Sequence, residues 1–291
     1  MKIIPGPASQ GLAERTAELL GVETVPLAFK HFPDGESYVR LEGNVENEEV
    51  AIVQTTSPPQ DSRLLQLALT ADAAKRNGAI KVTAVVPYLA YARQDKVFLR
   101  GETVSIETVA RMLEAAGVDA VLTVNVHQEA TLQTFPFPAR SASAIPLIAE
   151  YLKARGFAGA FALAPDKGAV YIVEQAKKVL GGECGYLEKQ RDRYTGQVSV
   201  ERKAYTVKGK TVVIFDDIIS SGGTIVAAAK IMRELDAGEI YAACVHPLLV
   251  GEAEKHILEA GVHEVVGTDS VPSHVSRVSL APLLSKELQR G

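Results

Sequence analysis

The feature that most constrains this chain is an apolar run that leads through two acidic residues into a loop of small residues. Residues 211–215 are Thr-Val-Val-Ile-Phe, typical of a buried strand, and Asp216 and Asp217 follow directly. The loop 220–224 reads Ser-Ser-Gly-Gly-Thr, and residues 225–236 have helical apolar spacing. Backbone N–H groups and hydroxyls of such a loop, at a helix N-terminus, can bind a phosphate. The segment therefore predicts a sugar-phosphate site, with two carboxylates that could accept hydrogen bonds from sugar hydroxyls or hold a hydrated metal ion.

The same residues also have a purely structural interpretation. Gly-Gly pairs occur in many loops only to turn the chain, and an Asp at the end of a strand often caps the following helix. The full order of strand, Asp-Asp, small-residue loop and helix is more specific than Gly-Gly-Thr alone. It resembles the phosphoribosyl-diphosphate loop of type I phosphoribosyltransferases and of ribose-phosphate diphosphokinases, so other parts of the chain must decide between these families.

Composition describes a globular protein with no nucleic-acid or membrane character. The chain has 291 residues, enough for two domains, with 47% hydrophobic and 23% charged residues. Its net charge is −4 and its basic residues are interspersed with acidic ones, which argues against a nucleic-acid surface. No apolar run is long enough to span a membrane, and Pro5 and Pro7 interrupt the N-terminal one. Cys184 and Cys244 form no paired motif, so we expect a reducing, cytoplasmic location.

Short β-branched segments alternate with longer amphipathic segments, which predicts an α/β fold of parallel sheets with helices on both faces. Predicted strands cover residues 50–54, 80–86, 120–126, 160–164, 211–215, 239–246 and 264–267. Predicted helices cover residues 10–20, 63–77, 106–116, 145–155, 170–180, 225–236 and 252–260. The alternation occurs twice, with a stretch of small residues at 141–144 between the halves. We therefore expect an N-terminal domain of residues 1–143, which residues 277–291 could rejoin, and a C-terminal domain of residues 144–276.

Two further residues follow predicted strands, at the sheet edge where open α/β sheets bind ligands. His127 comes after the strand 120–126, and Asp166 comes after the strand 160–164. An imidazole and a carboxylate would suit a divalent cation that phosphate oxygens also hold. Each also has a structural interpretation, because a lone His is often only structural and Asp166 could cap the helix that follows it.

Three other segments carry polar groups that could take part in binding. Residues 32–36, Phe-Pro-Asp-Gly-Glu, predict a turn, and their ring and carboxylates could alternatively hold a nucleoside. Residues 93–96, Arg-Gln-Asp-Lys, offer a guanidinium for phosphate, or form a solvated loop. Residues 188–196 form a charged hairpin or loop, which is either solvated surface or a basic lid that closes on polyphosphate.

Together these pieces resemble the ribose-phosphate diphosphokinase (phosphoribosyl diphosphate synthase) family, over residues 3–278. The resemblance is carried by residues 32–36, by Pro87-Tyr88 with Tyr91-Ala92-Arg93-Gln94-Asp95, by His127, by Pro165-Asp166, by Lys189 with Arg191, and by the loop 216–224. It implies two type I phosphoribosyltransferase-like domains, each a mainly parallel sheet flanked by helices. The length is closest to that of the archaeal branch.

The resemblance also implies a role for each of these residues. ATP-binding residues would be Phe32, Asp34, Gly35, Glu36, Arg93, Gln94 and Asp95. Of these, Phe32, Asp34 and Glu36 would serve a neighbouring subunit of a homo-oligomer no smaller than a dimer. Ribose 5-phosphate would bind to Arg191, Asp216, Asp217, Ser220, Ser221, Gly222, Gly223 and Thr224. Mg²⁺ would bind near His127 and Asp166, and Lys189 and Arg191 would be catalytic.

The implied reaction is transfer of the β,γ-diphosphoryl group of ATP to the C1 hydroxyl of ribose 5-phosphate, which supplies nucleotide biosynthesis. One alternative is a phosphoribosyltransferase that consumes phosphoribosyl diphosphate through the same loop. Another is a non-catalytic regulatory subunit of the synthase. The sequence departs from the family pattern at Asn125 and Ser220, where other members commonly carry Asp. It also departs at Asp166-Lys167-Gly168, which lacks the usual paired glycines.

Overall fold

The structure, a computed structural model, describes the backbone of residues 1–191, 198–201 and 205–290, and their side chains except at 189–191 and 198–201. The chain forms two compact units. Unit 1 comprises Met1–Ser143, Ser270–Pro272 and Ser279–Gly291, and unit 2 comprises Ala144–Asp269 and Ser273–Val278. No helix within the described ranges is long and apolar enough to cross a membrane.

Strands and helices alternate through most of the chain. The strands are β1 Lys2–Pro5, β2 Leu27–His31, β3 Ser37–Leu41, β4 Glu49–Val53, β5 Lys81–Val86, β6 Ala120–Val124, β7 Ala139–Ala142, β8 Phe161–Ala164, β9 Cys184–Tyr186, β10 Glu188–Arg191, β11 Val198–Glu201, β12 Val212–Ile219, β13 Ile240–Pro247, β14 Val265–Thr268 and β15 Ser276–Val278. The α-helices are α1 Gln10–Leu20, α2 Gln60–Arg76, α3 Ser105–Ala115, α4 Ile145–Leu152, α5 Val170–Leu180, α6 Gly223–Glu234, α7 Ala253–Glu259 and α8 Ala281–Leu288.

Unit 1 is built on a parallel sheet with strand order β1-β4-β5-β6-β7. Helix α2 packs against β4 and β5, and the side chains of Ile52, Leu67 and Ile106 are fully buried in the resulting core. Strands β2 and β3 form a separate antiparallel hairpin whose second strand packs against α2. Sequence reasoning predicts only the turn of this hairpin, because its strands are half-exposed and lack a clean apolar alternation.

The C-terminal helix α8 belongs to unit 1, where it packs against α1. The guanidinium of Arg140 donates to a carboxylate oxygen of Glu287 at 2.9 Å and to the backbone oxygen of Glu287 at 2.6 Å. Arg15 Nε donates to Ser279 Oγ at 3.3 Å. Both ends of the chain therefore contribute to one unit.

Unit 2 is built on a second parallel sheet with strand order β15-β14-β13-β12-β8-β9. Its core is formed by apolar side chains of β12 and β13 and of α6, among them Ile214, Ala242 and Met232, all fully buried. Strands β10 and β11 pair antiparallel outside this sheet. The predicted α/β class with mainly parallel sheets flanked by helices is confirmed.

Candidate active site

The small-residue loop 220–224 joins the carboxyl end of β12 to α6. The helix begins at Gly223, and its N-cap, Gly222, has a left-handed backbone with φ 77°. In the described chain no side chain caps this helix end. The first N–H groups of an α-helix have no partner within the helix, and its dipole makes that end positive. Ser221 and Gly223 are exposed, so these donors are accessible to an anion.

The loop is held from behind by the segment that follows β13. Leu249 N–H donates to Ile219 O and Val250 N–H donates to Ser220 O, both at 3.0 Å. A Cβ atom at Gly222 would lie 2.9 Å from Ile257 Cδ1 on α7, closer than real Cβ contacts allow. Because the loop is tied on one side and packed on the other, its conformation is set before any ligand binds.

The two carboxylates lie beside this loop. Asp216 Oδ1 accepts from Asp217 N–H at 2.9 Å, and Asp217 Oδ1 accepts from Ile218 N–H at 2.8 Å. Burial, together with the neighbouring negative charges of Asp217 and Asp166, raises the pKa of Asp216 to about 8. A ligand that brings positive charge or hydroxyl donors to this place would relieve that repulsion. The geometry therefore suits a hydroxyl-rich ligand, a cation, or both.

The predicted end of the strand before the carboxylates is wrong. Residues 211–215 were expected to form it, whereas β12 is Val212–Ile219 and contains both aspartates. Pairing with β13 continues past Phe215, with Asp216 opposite Cys244 and Ile218 opposite His246. This long neighbouring strand overrides the low strand preference of Asp.

Asp166 follows β8, which pairs with β12 in parallel, so it lies at the same sheet edge as the loop. Its carboxylate accepts from Gly168 N–H at 2.9 Å and caps the short 3-10 helix Lys167–Ala169. Helix α5 then covers Val170–Leu180, as predicted. The capping role that the sequence allows for Asp166 is therefore present in the structure.

In unit 1 the loops after β5 and β6 leave neighbouring parallel strands and lie at one sheet edge. The first of these loops carries Arg93, which is exposed, and Gln94 and Asp95, which are half-buried. Gln94 N–H donates to Tyr91 O at 3.0 Å, and Gln94 Nε2 donates to Thr103 O at 3.4 Å. These bonds form a tight turn that presents the Arg93 side chain to solvent.

His127 lies in the second loop and is exposed. The backbone just before it is tied to β7, because Asn125 N–H donates to Ala142 O at 2.9 Å and Val126 N–H donates to Ser141 Oγ at 3.1 Å. Asn125 has a left-handed backbone, with φ 40°, and is buried. The imidazole is thus presented at the edge of the sheet from an ordered backbone.

Residues 32–36 form the turn of the β2–β3 hairpin, as predicted. Phe32 N–H donates to Glu36 O at 2.8 Å, Gly35 N–H donates to Phe32 O at 2.9 Å, and Glu36 N–H donates to Asp34 Oδ1 at 3.2 Å. The Phe32 ring is 40% exposed and packs edge-on against Tyr38. An aromatic ring and two carboxylates are therefore displayed together on a hairpin that is not part of the main sheet.

Donor chemistry limits how a metal ion could be held. Among the residues that the structure describes, no group of three or more His, Cys, Asp or Glu side chains is arranged to hold a metal ion. Mg²⁺ in phosphate-transfer sites is usually bound by one or two carboxylates together with phosphate oxygens and water. A shared site of this kind needs only one or two carboxylates from the protein, and the substrate completes the coordination.

Lys189 and Arg191 lie in β10, which pairs with β11. Their side chains, and all of residues 192–197, lie outside the described part of the chain, so their predicted catalytic role stays a prediction.

The sequence did not predict several residues that lie beside the candidate site residues of unit 2 and unit 1. Cys244 is fully buried opposite Asp216, and burial followed by the Asp216 charge raises the pKa of its thiol. Leu249 has an unusual left-handed backbone, with φ 44°, beside the small-residue loop. Asp61, in the first turn of α2, accepts a hydrogen bond from the Tyr91 hydroxyl. No local pattern marks these residues, because each acts through a contact with a distant segment.

Two family models match the chain. The N-terminal domain of ribose phosphate pyrophosphokinase matches residues 1–117, and the phosphoribosyl transferase domain matches residues 145–277.

Two relatives that match nearly the whole chain are named ribose-phosphate pyrophosphokinase. The ribose-phosphate pyrophosphokinase of Methanothermobacter thermautotrophicus is 43% identical over 97% of this chain and 98% of that protein. That of Saccharolobus solfataricus is 41% identical over 93% of each. The crystal structure of phosphoribosylpyrophosphate synthetase from Mycobacterium smegmatis aligns with a TM-score of 0.87 and 29% identity, over 99% of this chain and 97% of that one.

Proposed function

The chain belongs to the ribose-phosphate pyrophosphokinase family, and we propose that it transfers the β,γ-diphosphoryl group of ATP to the C1 hydroxyl of ribose 5-phosphate. The products are phosphoribosyl diphosphate and AMP. The observation that carries the proposal is the preformed loop 220–224 at the N-terminus of α6, beside two carboxylates, in a chain of this family. A phosphate and the hydroxyls of one sugar would bind to these two features together.

Unit 2 carries the acceptor residues in this proposal. The 5-phosphate binds to backbone N–H groups and hydroxyls of Ser220, Ser221, Gly222, Gly223 and Thr224. Asp216 and Asp217 accept hydrogen bonds from the ribose hydroxyls, which orients C1. Arg191 assists at the phosphate.

Unit 1 carries the donor residues. Arg93 binds phosphate oxygens through its guanidinium, and Gln94 and Asp95 provide an amide and a carboxylate for the nucleoside. The turn of Phe32, Asp34, Gly35 and Glu36 contributes to the ATP site of a neighbouring copy, so the smallest active assembly is a homodimer. The exposure of Phe32 on a hairpin outside the main sheet supports this assignment.

In the chemical step the C1 oxygen forms a bond to the β-phosphorus. The bond from that phosphorus to the oxygen bridging the α-phosphate breaks, AMP leaves, and the hydroxyl proton is lost to water. In this proposal Lys189 and Arg191 neutralise charge that develops on the transferring group, more strongly in the transition state than in the ground state.

Mg²⁺ is the cofactor we assign, and His127 in unit 1 and Asp166 in unit 2 are each proposed as a metal ligand. When bound, it would neutralise phosphate charge and favour in-line geometry. We assign the reaction to the cytoplasm, where ATP and pentose phosphates are available.

Phosphorus NMR of the protein with ATP, ribose 5-phosphate and Mg²⁺ tests the function. We expect AMP and a sugar with a C1-linked diphosphate. Formation of ADP would contradict diphosphoryl transfer. Absence of any nucleotide turnover by a folded protein would favour the regulatory-subunit alternative, and consumption of added phosphoribosyl diphosphate with a base would favour a phosphoribosyltransferase.

Asp216→Asn tests the acceptor assignment. We expect the KM for ribose 5-phosphate to rise about tenfold or more with the KM for ATP little changed, since a neutral amide replaces the carboxylate that accepts from the sugar hydroxyls. The matched control is Asp236→Asn in the same unit, where the exposed carboxylate pairs with Lys208 at 3.4 Å. Unchanged kinetics in Asp216→Asn would show that this carboxylate does not contact the sugar.

A further inference from the structure

Tyr91 has a backbone conformation that a tyrosine rarely adopts. Its φ is 66°, in the left-handed region that favours glycine. An aromatic residue stays in this region only when its surroundings hold it there, and such residues are concentrated at functional sites. Tyr91 comes two positions before Arg93 and three before Gln94, so its conformation sets the direction in which these side chains leave the loop.

The chain just before Tyr91 is fastened by a fully buried hydroxyl. Thr56, in the segment after β4, donates from Oγ1 to Tyr88 O at 2.7 Å and accepts at Oγ1 from Ala90 N–H at 2.8 Å. Thr56 N–H also donates to Tyr88 O, at 3.0 Å. The backbone therefore reaches Tyr91 from a fixed point.

Tyr91 itself is fastened through its side chain. Its hydroxyl donates to a carboxylate oxygen of Asp61, which lies in the first turn of α2. Helix α2 has 17 residues and packs on β4 and β5, so the backbone that carries Asp61 is held in place. On the other side, Tyr91 O accepts from Gln94 N–H and closes the turn. The hydrogen bond from Tyr91 to Asp61 thus ties this turn to helix α2.

Resting on the proposed function, we infer that Tyr91 and Asp61 are positioning residues. Their hydrogen bond holds the turn 91–94 so that Arg93 and Gln94 face the donor nucleotide. Neither residue needs to touch ATP for this role. Loss of the bond releases a backbone that has no local preference for its present shape, and weakens nucleotide binding through Arg93 and Gln94.

Tyr91→Phe removes only the hydroxyl. We expect weaker binding of a non-hydrolysable α,β-methylene ATP, measured by calorimetry, and a KM for ATP raised about 5- to 10-fold, the effect of losing one typical hydrogen bond. The KM for ribose 5-phosphate should stay within about twofold, because the bond lies in unit 1. The matched control is Tyr241→Phe, which removes a hydroxyl that donates to Glu239 at 3.1 Å in unit 2.

Variants of Asp61, the hydrogen-bond acceptor, test whether the bond positions the turn or only stabilises the fold. Asp61→Asn keeps an oxygen acceptor and should bind the ATP analogue within about threefold of wild type, whereas Asp61→Ala should match Tyr91→Phe. The double variant Tyr91→Phe/Asp61→Ala should be no weaker than either single variant, since both remove the same bond.

The inference is overturned if Tyr91→Phe binds the analogue as tightly as wild type does. It is also overturned if Tyr91→Phe lowers the melting temperature but changes the KM for ATP no more than the KM for ribose 5-phosphate. If the wild-type protein itself forms no AMP, the proposed function fails instead. In that case calorimetry still tests the inference, since it needs only nucleotide binding.

Discussion

Gly222 lies directly against Ile257, with no room for a side chain between the loop and α7. A Cβ atom at Gly222 would come within 2.9 Å of Ile257 Cδ1 and 3.2 Å of Ala253 O. Its backbone is also left-handed, with φ 77°. The loop that we assign to the 5-phosphate thus depends on glycine at this position for two separate reasons.

Gly222→Ala should therefore move the loop. We expect the KM for ribose 5-phosphate to rise at least about tenfold, because sub-ångström changes in a preformed anion site weaken it strongly. The left-handed backbone alone costs about 1–2 kcal/mol in an L-residue, so the melting temperature should also fall.

Two variants control this result. Gly209→Ala carries the same backbone penalty, at φ 69°, but its Cβ would meet nothing within 4 Å, so its kinetics should not change. Ile257→Val removes the nearest atom, and should partly restore ribose 5-phosphate use when combined with Gly222→Ala. A double variant no better than Gly222→Ala would place the damage elsewhere.

The raised pKa of Asp216 predicts how the free energy of unfolding depends on pH. Because burial raises the pKa of Asp216 to about 8, the folded protein holds this proton more tightly than the unfolded chain. The contribution to the free energy of unfolding is therefore full below about pH 4 and falls as pH rises to about 8. Asp216→Asn should abolish this fall, and at pH 8 without ligands it should melt at least about 2 °C above wild type.

The measurement is the melting temperature of ligand-free protein from pH 4 to pH 9. Asp236→Asn, at an exposed ion pair, should keep the wild-type pH profile. Parallel curves for wild type and Asp216→Asn would mean that Asp216 is ionised throughout this range.

We expect substitution of Lys189 to lower kcat without unfolding the protein. Lys189→Ala should lower kcat by about 10²-fold or more, the scale for one donor that acts on transition-state charge. Lys208→Ala is the control, since it removes a lysine of the same unit that pairs with Asp236 on the surface. A rate for Lys189→Ala within twofold of wild type would remove this residue from the mechanism.

If His127 binds Mg²⁺, substitution of His127 should change how the reaction rate depends on the Mg²⁺ concentration. His127→Ala should raise the Mg²⁺ concentration for half-maximal rate about tenfold or more, as expected when part of a metal site is lost. His256→Ala removes an exposed imidazole from α7 and should leave the Mg²⁺ titration unchanged. If His127→Ala titrates like His256→Ala, the imidazole serves the substrate or the fold rather than the metal.

Local signals in the sequence were sufficient for the central elements of both sheets. Helix α5 was predicted to its observed bounds, and β5 and α6 within two residues, because apolar spacing and glycine ends are local. Short strands at the sheet edges, such as β1, β7, β9 and β15, were missed, since three or four residues carry too little pattern.

Candidate site residues divide in the same way. Motif residues such as Asp216 and Arg93 are visible in the sequence because their chemistry is concentrated in a few adjacent positions. The contacts of Gly222 with Ile257 and of Tyr91 with Asp61 join segments far apart in the chain. They depend on how helices pack against the sheet edge, and no window of sequence contains both partners.

Helix α8 has a consequence for how the protein is made. Unit 1 needs both Met1–Ser143 and Ser279–Gly291, so unit 2 is inserted between two parts of the same structural body. A ribosome finishes unit 2 before it releases the helix that Arg140 anchors through Glu287. The N-terminal half therefore stays incomplete until α8 has been synthesised, and a chain truncated before α8 lacks a piece of the unit that was translated first.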